Sequence, residues 1–170
     1  MDLIPLIFLS AFPAALIIAA MNDLYEYKIP NWVSGVLFCA YFAAGVGLGA
    51  SPMMMLEGFL FACAALVVGF GLFAGKFLGG GDAKLLAACA PWIGPSALFP
   101  FLLNTAIAGG MFAIFLVAFR KTPALPVYAQ APWLMRLHQR PKDIPYAVAI
   151  AAGGLLSFPQ TPMFQLPYGG

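Results

Sequence analysis

The sequence predicts an all-α membrane protein, a polytopic bundle of about six transmembrane helices with both chain termini on the outer side of the membrane. Hydrophobic residues make up 63% of the 170 positions and charged residues only 8%, and the mean hydropathy is +0.94. A water-soluble domain of this composition could not cover its surface with polar groups. The 8 Lys and Arg residues also fall in connections predicted for one side of the membrane, which is typical of cytoplasmic loops.

Six apolar segments are predicted as membrane spans, because about 20 apolar residues are enough to cross a bilayer as a helix. They are Leu3–Met21, Trp32–Ala50, Leu56–Gly75, Ala83–Ile93, Ala97–Phe119 and Ile144–Phe158. The fourth span is short and is followed by Pro91, Pro95 and Pro100, so it is predicted to be tilted, broken or only partly inserted. The first is predicted to be a retained span rather than a secretory signal, since no Lys or Arg precedes it. Residues 1–170 are therefore expected to form a single membrane-embedded domain.

The orientation of the bundle follows from the positions of its cations. The basic residues after the first span, around the junction of the third and fourth, and after the fifth are Lys28, Lys76, Lys84, Arg120, Lys121, Arg136, Arg140 and Lys142. An excess of Lys and Arg marks the cytoplasmic side. The cations are thus expected to face the cytoplasm and lipid head groups, and no nucleic-acid partner is predicted.

Several isolated polar and small residues are expected to have structural roles. The proline-rich stretch Arg120–Asp143 is predicted to be an irregular loop, in which Trp133–Arg140 forms a short amphipathic helix with His138 as a surface residue. Asn104 is predicted to bond to a neighbouring helix. The remaining residues of this kind are expected to serve in helix packing: Cys39, Cys63 and Cys89, and the glycines of Gly45-x-x-x-Gly49 and Gly71-x-x-x-Gly75. The sequence contains no C-x-x-C pair, so it does not predict a zinc site or a redox motif.

Two aspartates, Asp23 and Asp82, lie at the ends of apolar segments in this nearly uncharged chain. A carboxylate beside membrane helices is costly to keep ionised, so it predicts a functional site. Taken singly, each has a structural alternative: Asp23 as an interfacial anchor, and Asp82 as a helix cap after a flexible glycine turn. The predicted topology brings both acids to the same membrane face, and this joint placement favours the functional interpretation.

The sequence around each acid is also unusual. Three glycines, residues 79–81, precede Asp82, and glycine permits backbone conformations closed to other residues and close approach of another chain. After Asp23, Pro30 disfavours a helix at Ile29 and predicts a defined connector. Two adjacent carboxylates can share one proton, so that one acid activates water while the other polarises a carbonyl. The pair therefore predicts amide hydrolysis, and the sequence does not assign the proton to either acid.

These residues resemble the motifs of the prepilin peptidases, a family of membrane-embedded aspartic peptidases. Gly79-Gly80-Gly81-Asp82-Ala83-Lys84 matches the G-x-G-D signature of such enzymes. Asp23 with the downstream Ile29-Pro30-Asn31 is similar to the first catalytic-acid region of the family, and Ile144-Pro145-Tyr146-Ala147 resembles its closing segment. Together these motifs extend over most of the chain in the family's order.

The chain is most similar to the short prepilin peptidases of tight-adherence (Flp-type) pilus systems. The resemblance implies an aspartic endopeptidase of the bacterial inner membrane, which removes the leader of type IV prepilins at the cytoplasmic face with Asp23 and Asp82. The residues implied to bind or position the substrate are Gly79, Gly81, Lys84, Pro30 and Asn31. The implied partners are membrane lipids and a prepilin with a leader and an apolar helix, and neither a metal nor a cofactor is implied.

Two features depart from the family pattern. Long relatives carry a cytoplasmic segment with paired C-x-x-C motifs and N-methylate the new pilin terminus, and this chain lacks those motifs, so methyl transfer is not implied. Basic residues often flank the Ile-Pro-Asn motif, whereas here Lys28 alone does so, after Glu26 and Tyr27. This difference leaves the substrate preference open.

Two other classes of protein remain as alternatives. A small ion-coupled transporter could use the two acids as a proton relay. Such sites usually lie near the bilayer midplane, often within internal repeats, whereas both acids here are predicted at one face of a chain without a visible repeat. A membrane assembly subunit without enzymatic activity would leave both acids and the glycine run unexplained.

Overall fold

The computed structural model describes residues 3–123, 128, 131–139 and 144–168. All regular secondary structure within these residues is helical, as the sequence predicts. The α-helices in chain order are α1 (Leu3–Glu26), α2 (Asn31–Gly47), α3 (Pro52–Ala74), α4 (Gly80–Lys121), α5 (Pro132–Gln139), α6 (Tyr146–Ser157) and α7 (Pro162–Gln165). Two short 3₁₀ segments, Phe158–Gln160 and Leu166–Tyr168, flank α7.

Helix α4 reverses its direction at Gly94, between the predicted fourth and fifth spans. Gly94 has φ 62° and ψ 172°, which is a backbone conformation that favours glycine, and Pro95 follows it. The second half of α4 then runs antiparallel to α6: Asn104 donates from its Nδ2 to the Ser157 Oγ at 3.0 Å, and Gly109 lies against Ala149. The two halves of α4 therefore form a helical hairpin, and the predicted bond of Asn104 to a neighbouring helix is confirmed.

The prediction of six spans is confirmed only in part. Among the described residues, the helices that are long and apolar enough to cross a membrane are Ile7–Glu26, Pro52–Ala74, Gly80–Lys121 and Tyr146–Gln165. Helix α2 is apolar but has only 17 residues, and the predicted fourth and fifth spans share the single helix α4. Length and composition alone thus support four spanning helices.

The core lies where α1, α2, α6 and the first half of α4 meet. Its largest fully buried side chains include Phe12, Leu37, Tyr41 and Trp92. The indole Nε1 of Trp92 donates to the Leu37 carbonyl at 2.9 Å, so the polar edge of this buried ring is satisfied by the backbone of α2. This contact fixes α4 against α2 and thereby sets the relative positions of their N-terminal ends.

Helix α3 stands at the edge of the bundle and packs mainly on α4. Its buried residues are all small: Gly58, Ala62 and Gly69. Large apolar side chains cover much of its remaining surface, among them Val67 at 73% exposure and Phe70 at 66%. Exposed apolar surface of this extent is compatible with contact to lipid.

The glycine and cysteine predictions are partly wrong. Gly45 does pack against Met55, but Gly49 has φ +73° and follows the C-cap of α2, Gly71 faces open space and Gly75 caps α3. A four-residue spacing cannot show which glycine faces a neighbouring helix. Here three of the four glycines lie at helix ends or on the lipid-facing surface instead. Cys89 is buried as predicted, whereas Cys39 and Cys63 are exposed.

The predicted amphipathic helix is present as α5. Trp133 packs edge-on against Tyr25 of α1, with ring centroids 5.3 Å apart, and Arg120 donates from Nε to the Leu137 carbonyl at 2.9 Å. His138, predicted to be a surface residue, is half-buried, and its Nε2 lies 2.8 Å from the Thr122 carbonyl oxygen. Helix α5 therefore joins the C-terminal ends of α1 and α4. Much of the predicted loop, with Arg140 and Lys142, lies outside the described residues.

Candidate active site

Asp23 lies on the last turn of α1 and points towards the start of α6. Its side chain is only 6% exposed, and its Oδ2 accepts a hydrogen bond from the Ala147 backbone N–H at 2.9 Å. The first N–H groups of a helix lack partners within the helix and carry its positive dipole end, so they stabilise an anion. The chain leaves α1 through Tyr27 (φ 56°), whose N–H donates to the Asp23 carbonyl at 2.8 Å. The end of α1 thus holds Asp23 against α6.

Asp82 lies in the first turn of α4 and is also buried, at 8% exposure. Its carboxylate accepts a hydrogen bond from the backbone N–H of Gly79, the N-cap residue of α4. This contact is one half of a capping box, in which an acidic side chain in the first turn bonds back to the N-cap N–H. The structural alternative for Asp82 is therefore present in part, since the side chain does stabilise the start of its helix.

The two carboxyl groups are neighbours in space. The negative charge of Asp23 acts electrostatically on Asp82, although 58 other residues separate them along the chain. Both side chains are largely removed from water, so this interaction is less screened than one between surface charges. The packing of α1 against α6 and the position of α4 thereby bring together the two acids that the sequence singles out.

Three helices begin around this pair: α2 after Pro30, α4 after Gly79 and α6 after Pro145. None of these N-cap residues forms a side-chain cap hydrogen bond, because proline and glycine have no side-chain acceptor. Backbone N–H groups at the starts of α4 and α6 are consequently available to the carboxylates. These helix starts make the site electrostatically suited to negative charge, and among the described residues the groups that donate to the two carboxylates are backbone N–H groups.

The connector after Asp23 packs directly on the glycine turn before Asp82. Ile29 is buried, and a Cβ placed on Gly81 would lie 3.3 Å from the Ile29 Cβ. Pro30 has φ −63° and ψ 135° and starts α2, which confirms the predicted connector. The close approach means that Gly81 provides space for Ile29.

The conformational explanation of the glycine run is wrong. Gly79 has φ −72° and ψ 148°, which other residues adopt readily, and Gly80 and Gly81 lie within α4. What distinguishes these positions is the lack of room for a side chain. A Cβ on Gly79 would lie 2.7 Å from the Asp82 Oδ2, and one on Gly80 would lie 3.4 Å from the Phe73 ring. The run is therefore the first turn of a helix packed tightly at Gly79 and Gly81.

Lys84 and Asn31 link the starts of α4 and α2. The Lys84 Nζ donates to the Asn31 Oδ1 at 3.0 Å, and both side chains are exposed at the edge of the site. Lys84 is one helical half-turn past Asp82, and Asn31 is the first residue of α2. All of the residues singled out from the sequence, both acids and their five neighbours, thus lie at the converging helix ends.

The contact of Asp23 with Ala147 is the part of the site that the residues alone did not reveal. A backbone donor has no characteristic side chain, so the only signal was the similarity of residues 144–147 to a family's closing segment. The structure also gives no sign of a metal centre: within the described residues, no three His, Cys, Asp or Glu side chains are grouped so that they could hold a metal ion.

Comparison with known protein families identifies the family of this chain. The sequence model of the type IV leader peptidase family matches residues 10–114, which include both acids and the connector to α2. The chain belongs to the type IV leader peptidase family. Searches of curated proteins and of solved structures gave no significant match. The family match ends within the second half of α4, so α5 and α6, including the Ala147 donor to Asp23, lie beyond it.

Proposed function

We propose that this member of the type IV leader peptidase family is an aspartic endopeptidase, which uses Asp23 and Asp82 to remove the leader of type IV, Flp-like prepilins. The observation that carries the proposal is the pairing of two buried carboxylates where the helices begin. Family membership supports a leader-peptidase function in general. The Flp-like substrate is inferred from the resemblance of the sequence motifs.

In this mechanism the two acids share one proton, because like charges at close range oppose double ionisation. The ionised carboxylate takes a proton from a water molecule as the water oxygen attacks the scissile carbonyl carbon. The protonated carboxyl donates a hydrogen bond to the carbonyl oxygen, where negative charge develops. Collapse of the tetrahedral intermediate breaks the C–N bond, and the leaving amine takes up a proton from the pair.

The residues around the acids position them and the substrate. Gly79 and Gly81 leave the space that the Asp82 carboxylate and Ile29 occupy. Pro30 begins α2 with an extended backbone, and Asn31 and Lys84 hold the starts of α2 and α4 together. Catalysis by two carboxyl groups depends on their mutual geometry, so these contacts would affect rate more than stability.

We further propose that the site faces the cytoplasm and that both termini face outward. Lys28 lies two residues after the end of α1, and Arg120 lies at the end of α4, where α5 joins it to Tyr25 of α1. These cations are thus at the same end of the bundle as Asp23, as the positive-inside rule requires of a cytoplasmic face. The protein would then reside in the bacterial inner membrane with lipid around α3 and α4.

The test is leader removal by the purified protein in detergent or liposomes, with Asp23→Asn and Asp82→Asn as the variants. Asparagine keeps the size of the side chain but cannot cycle through the charge states, so each variant should lose cleavage while it still accumulates in the membrane. Glu57→Gln is the matched control, because Glu57 is an exposed acid near the N-terminal end of α3, which is the end farther from Asp82 along the chain. Normal leader removal by either Asp variant would refute the proposal. A transporter would instead lose ion flux and leave the mass of the pilin unchanged.

A further inference from the structure

An open groove runs along the bundle from the edge of the candidate site. It lies between α2, α3 and the first half of α4 and has a volume of about 420 Å³. Asn31, Ser34 and Lys84 line its polar end, whereas Phe38, Phe59 and Leu66 line the rest. This volume is within the range of ligand-binding clefts, so the groove can take several side chains of a bound molecule.

We propose that this groove binds the apolar helix of the substrate, the segment that follows the scissile bond. The inference rests on the proposed function and deepens it, since it assigns the path of the substrate within the membrane. A second copy of the chain and lipid acyl chains are the competing occupants.

The continuity of the groove with the acids favours the substrate. Lys84 lies two residues after Asp82, and its partner Asn31 begins α2 beside the connector from Asp23. A polypeptide whose scissile bond lies between the two carboxyl groups could therefore leave the site past Asn31 and enter the groove. A lipid chain would need neither this polar entrance nor its alignment with the acids.

The shape of the groove fits one face of a helix. On α2 it is lined at residues 31, 34, 35 and 38, and on α3 at residues 59, 62, 63 and 66. Each set follows the i, i+3, i+4, i+7 spacing of a single helical face. Small residues at Gly35, Ala62 and Ala87 keep the floor open, and small residues are what allow a further helix to approach closely within a membrane.

The hydroxyl group of Ser34, in the wall of the groove, gives an independent indication that the groove binds a polypeptide. The side chain is 8% exposed, and its Oγ has no hydrogen-bond partner among the described residues. An unpaired buried hydroxyl costs free energy, which a bound chain can recover only if the Ser34 side chain rotates towards the groove. Because Ser34 lies one turn into α2 from Asn31, the group it would pair with belongs to the substrate segment nearest the cleavage site.

The first test fills the groove. Gly35 has open space around the position of a Cβ, so Gly35→Leu should fold normally while its side chain occupies the groove. Gly71→Leu is the matched control, because Gly71 is also a helical glycine with open space around it but does not line the groove. The probe is a type IV prepilin precursor with an apolar helix of about 20 residues after its cleavage site.

We expect Gly35→Leu to lower kcat/KM for this precursor by on the order of 100-fold, because the scissile bond is no longer held at the acids. Gly71→Leu should stay within about 2-fold of wild type, since a lone exposed substitution has little effect. A short peptide that contains the cleavage site without the apolar helix should be cleaved equally by both variants. Loss of its cleavage in Gly35→Leu would place the damage in the catalytic site and contradict the groove assignment.

The second test uses the native cysteines and does not require cleavage. Cys63 lines the groove, whereas Cys39 is equally a helical, exposed cysteine but lies outside it. In an Asp82→Asn background, a precursor with one cysteine in its apolar helix should form a disulfide with Cys63 when diamide is added as oxidant. The same precursor should not react after Cys63→Ser, which leaves Cys39 available.

The outcomes separate this inference from the proposed function. If wild type cleaves the precursor but Gly35→Leu does so equally well and Cys63 forms no cross-link, the groove holds lipid only and the inference is wrong. Cross-linking of Cys63 between two copies of the enzyme, without the precursor, would assign the groove to a dimer and overturn it as well. If wild type cleaves no precursor at all, the proposed function itself fails.

Discussion

Gly79→Ala tests whether the position of the Asp82 carboxyl group governs the rate. The added methyl group would lie 2.7 Å from the Asp82 Oδ2, whereas carbon and oxygen atoms in contact are normally about 3.3 Å or more apart. The oxygen must therefore move by roughly 0.6 Å. The backbone at Gly79 (φ −72°, ψ 148°) suits alanine, so the substitution displaces the acid without straining the chain.

The expected loss follows from that displacement. Misplacement of a reacting group by about 1 Å can cost on the order of 100-fold in rate, so a shift of this size should cost on the order of 10-fold or more. This loss corresponds to about 1.4 kcal/mol or more in the activation free energy. Asp82→Asn, which removes the charge instead of moving it, should be much less active than Gly79→Ala.

The assay is kcat and KM for leader removal from a prepilin precursor, normalised to folded enzyme, together with thermal unfolding in detergent. Gly80→Ala is the control, since its methyl group would meet only the end of the Phe73 ring at 3.4 Å, and this side chain can move. Its activity should stay within about 2-fold of wild type. Wild-type activity in Gly79→Ala, or equal losses in the two variants, would refute the argument that space at Gly79 positions the acid.

Three further predictions address the surroundings of the site. Reporters fused after Lys28, Lys76 and Arg136 should report the cytoplasm, and those near Ser51 and at the C-terminus the outer side; a cytoplasmic C-terminus would contradict the proposed topology. Lys76 follows the C-cap of α3 with φ 61°, so Lys76→Gly should raise the free energy of unfolding, measured by thermal unfolding, by roughly 0.5–1 kcal/mol, while Gly49→Ala at φ +73° should lower it. A lower free energy of unfolding for Lys76→Gly would contradict this reasoning. Asn31→Asp keeps an acceptor for the Lys84 ammonium and should retain more peptidase activity than Asn31→Leu, for which kcat/KM should fall on the order of 10-fold; equal losses would exclude the hydrogen bond as the cause.

The individual elements of the site were predictable because each is energetically or conformationally unfavourable in an ordinary membrane helix. Asp23 and Asp82 could be selected from the sequence, since an acid in a chain this apolar needs a compensating reason. Pro30 could be assigned a connector because its ring fixes the backbone. The helical class followed from composition, since membrane-spanning backbone must satisfy its own hydrogen bonds.

The arrangement of these elements was less accessible, because it depends on contacts between residues far apart in sequence. Three prolines near residue 94 predicted an interruption, but only the contacts of Asn104 and Gly109 with α6 show that α4 turns back on itself. The glycine run suggested unusual backbone angles, whereas in the structure Gly79 and Gly81 are glycine because a side chain there would collide with Asp82 or Ile29. Sequence alone does not distinguish these two reasons for glycine, since both exclude a side chain.

The proposed mechanism requires a membrane-embedded chain to keep two carboxyl groups ready for proton exchange. An arginine or lysine paired with each acid would stabilise both as anions and oppose the shared proton that hydrolysis needs. Among the described residues, the donors to the carboxylates are the backbone N–H groups of Gly79 and Ala147, while the nearby Lys84 donates to Asn31. Helix starts carry only a fraction of a positive charge, so they offset part of the cost of one anion without holding both acids ionised. In the proposed mechanism, the starts of α4 and α6, after Gly79 and Pro145, would therefore supply the partial positive charge that the Asp pair needs in so apolar a protein.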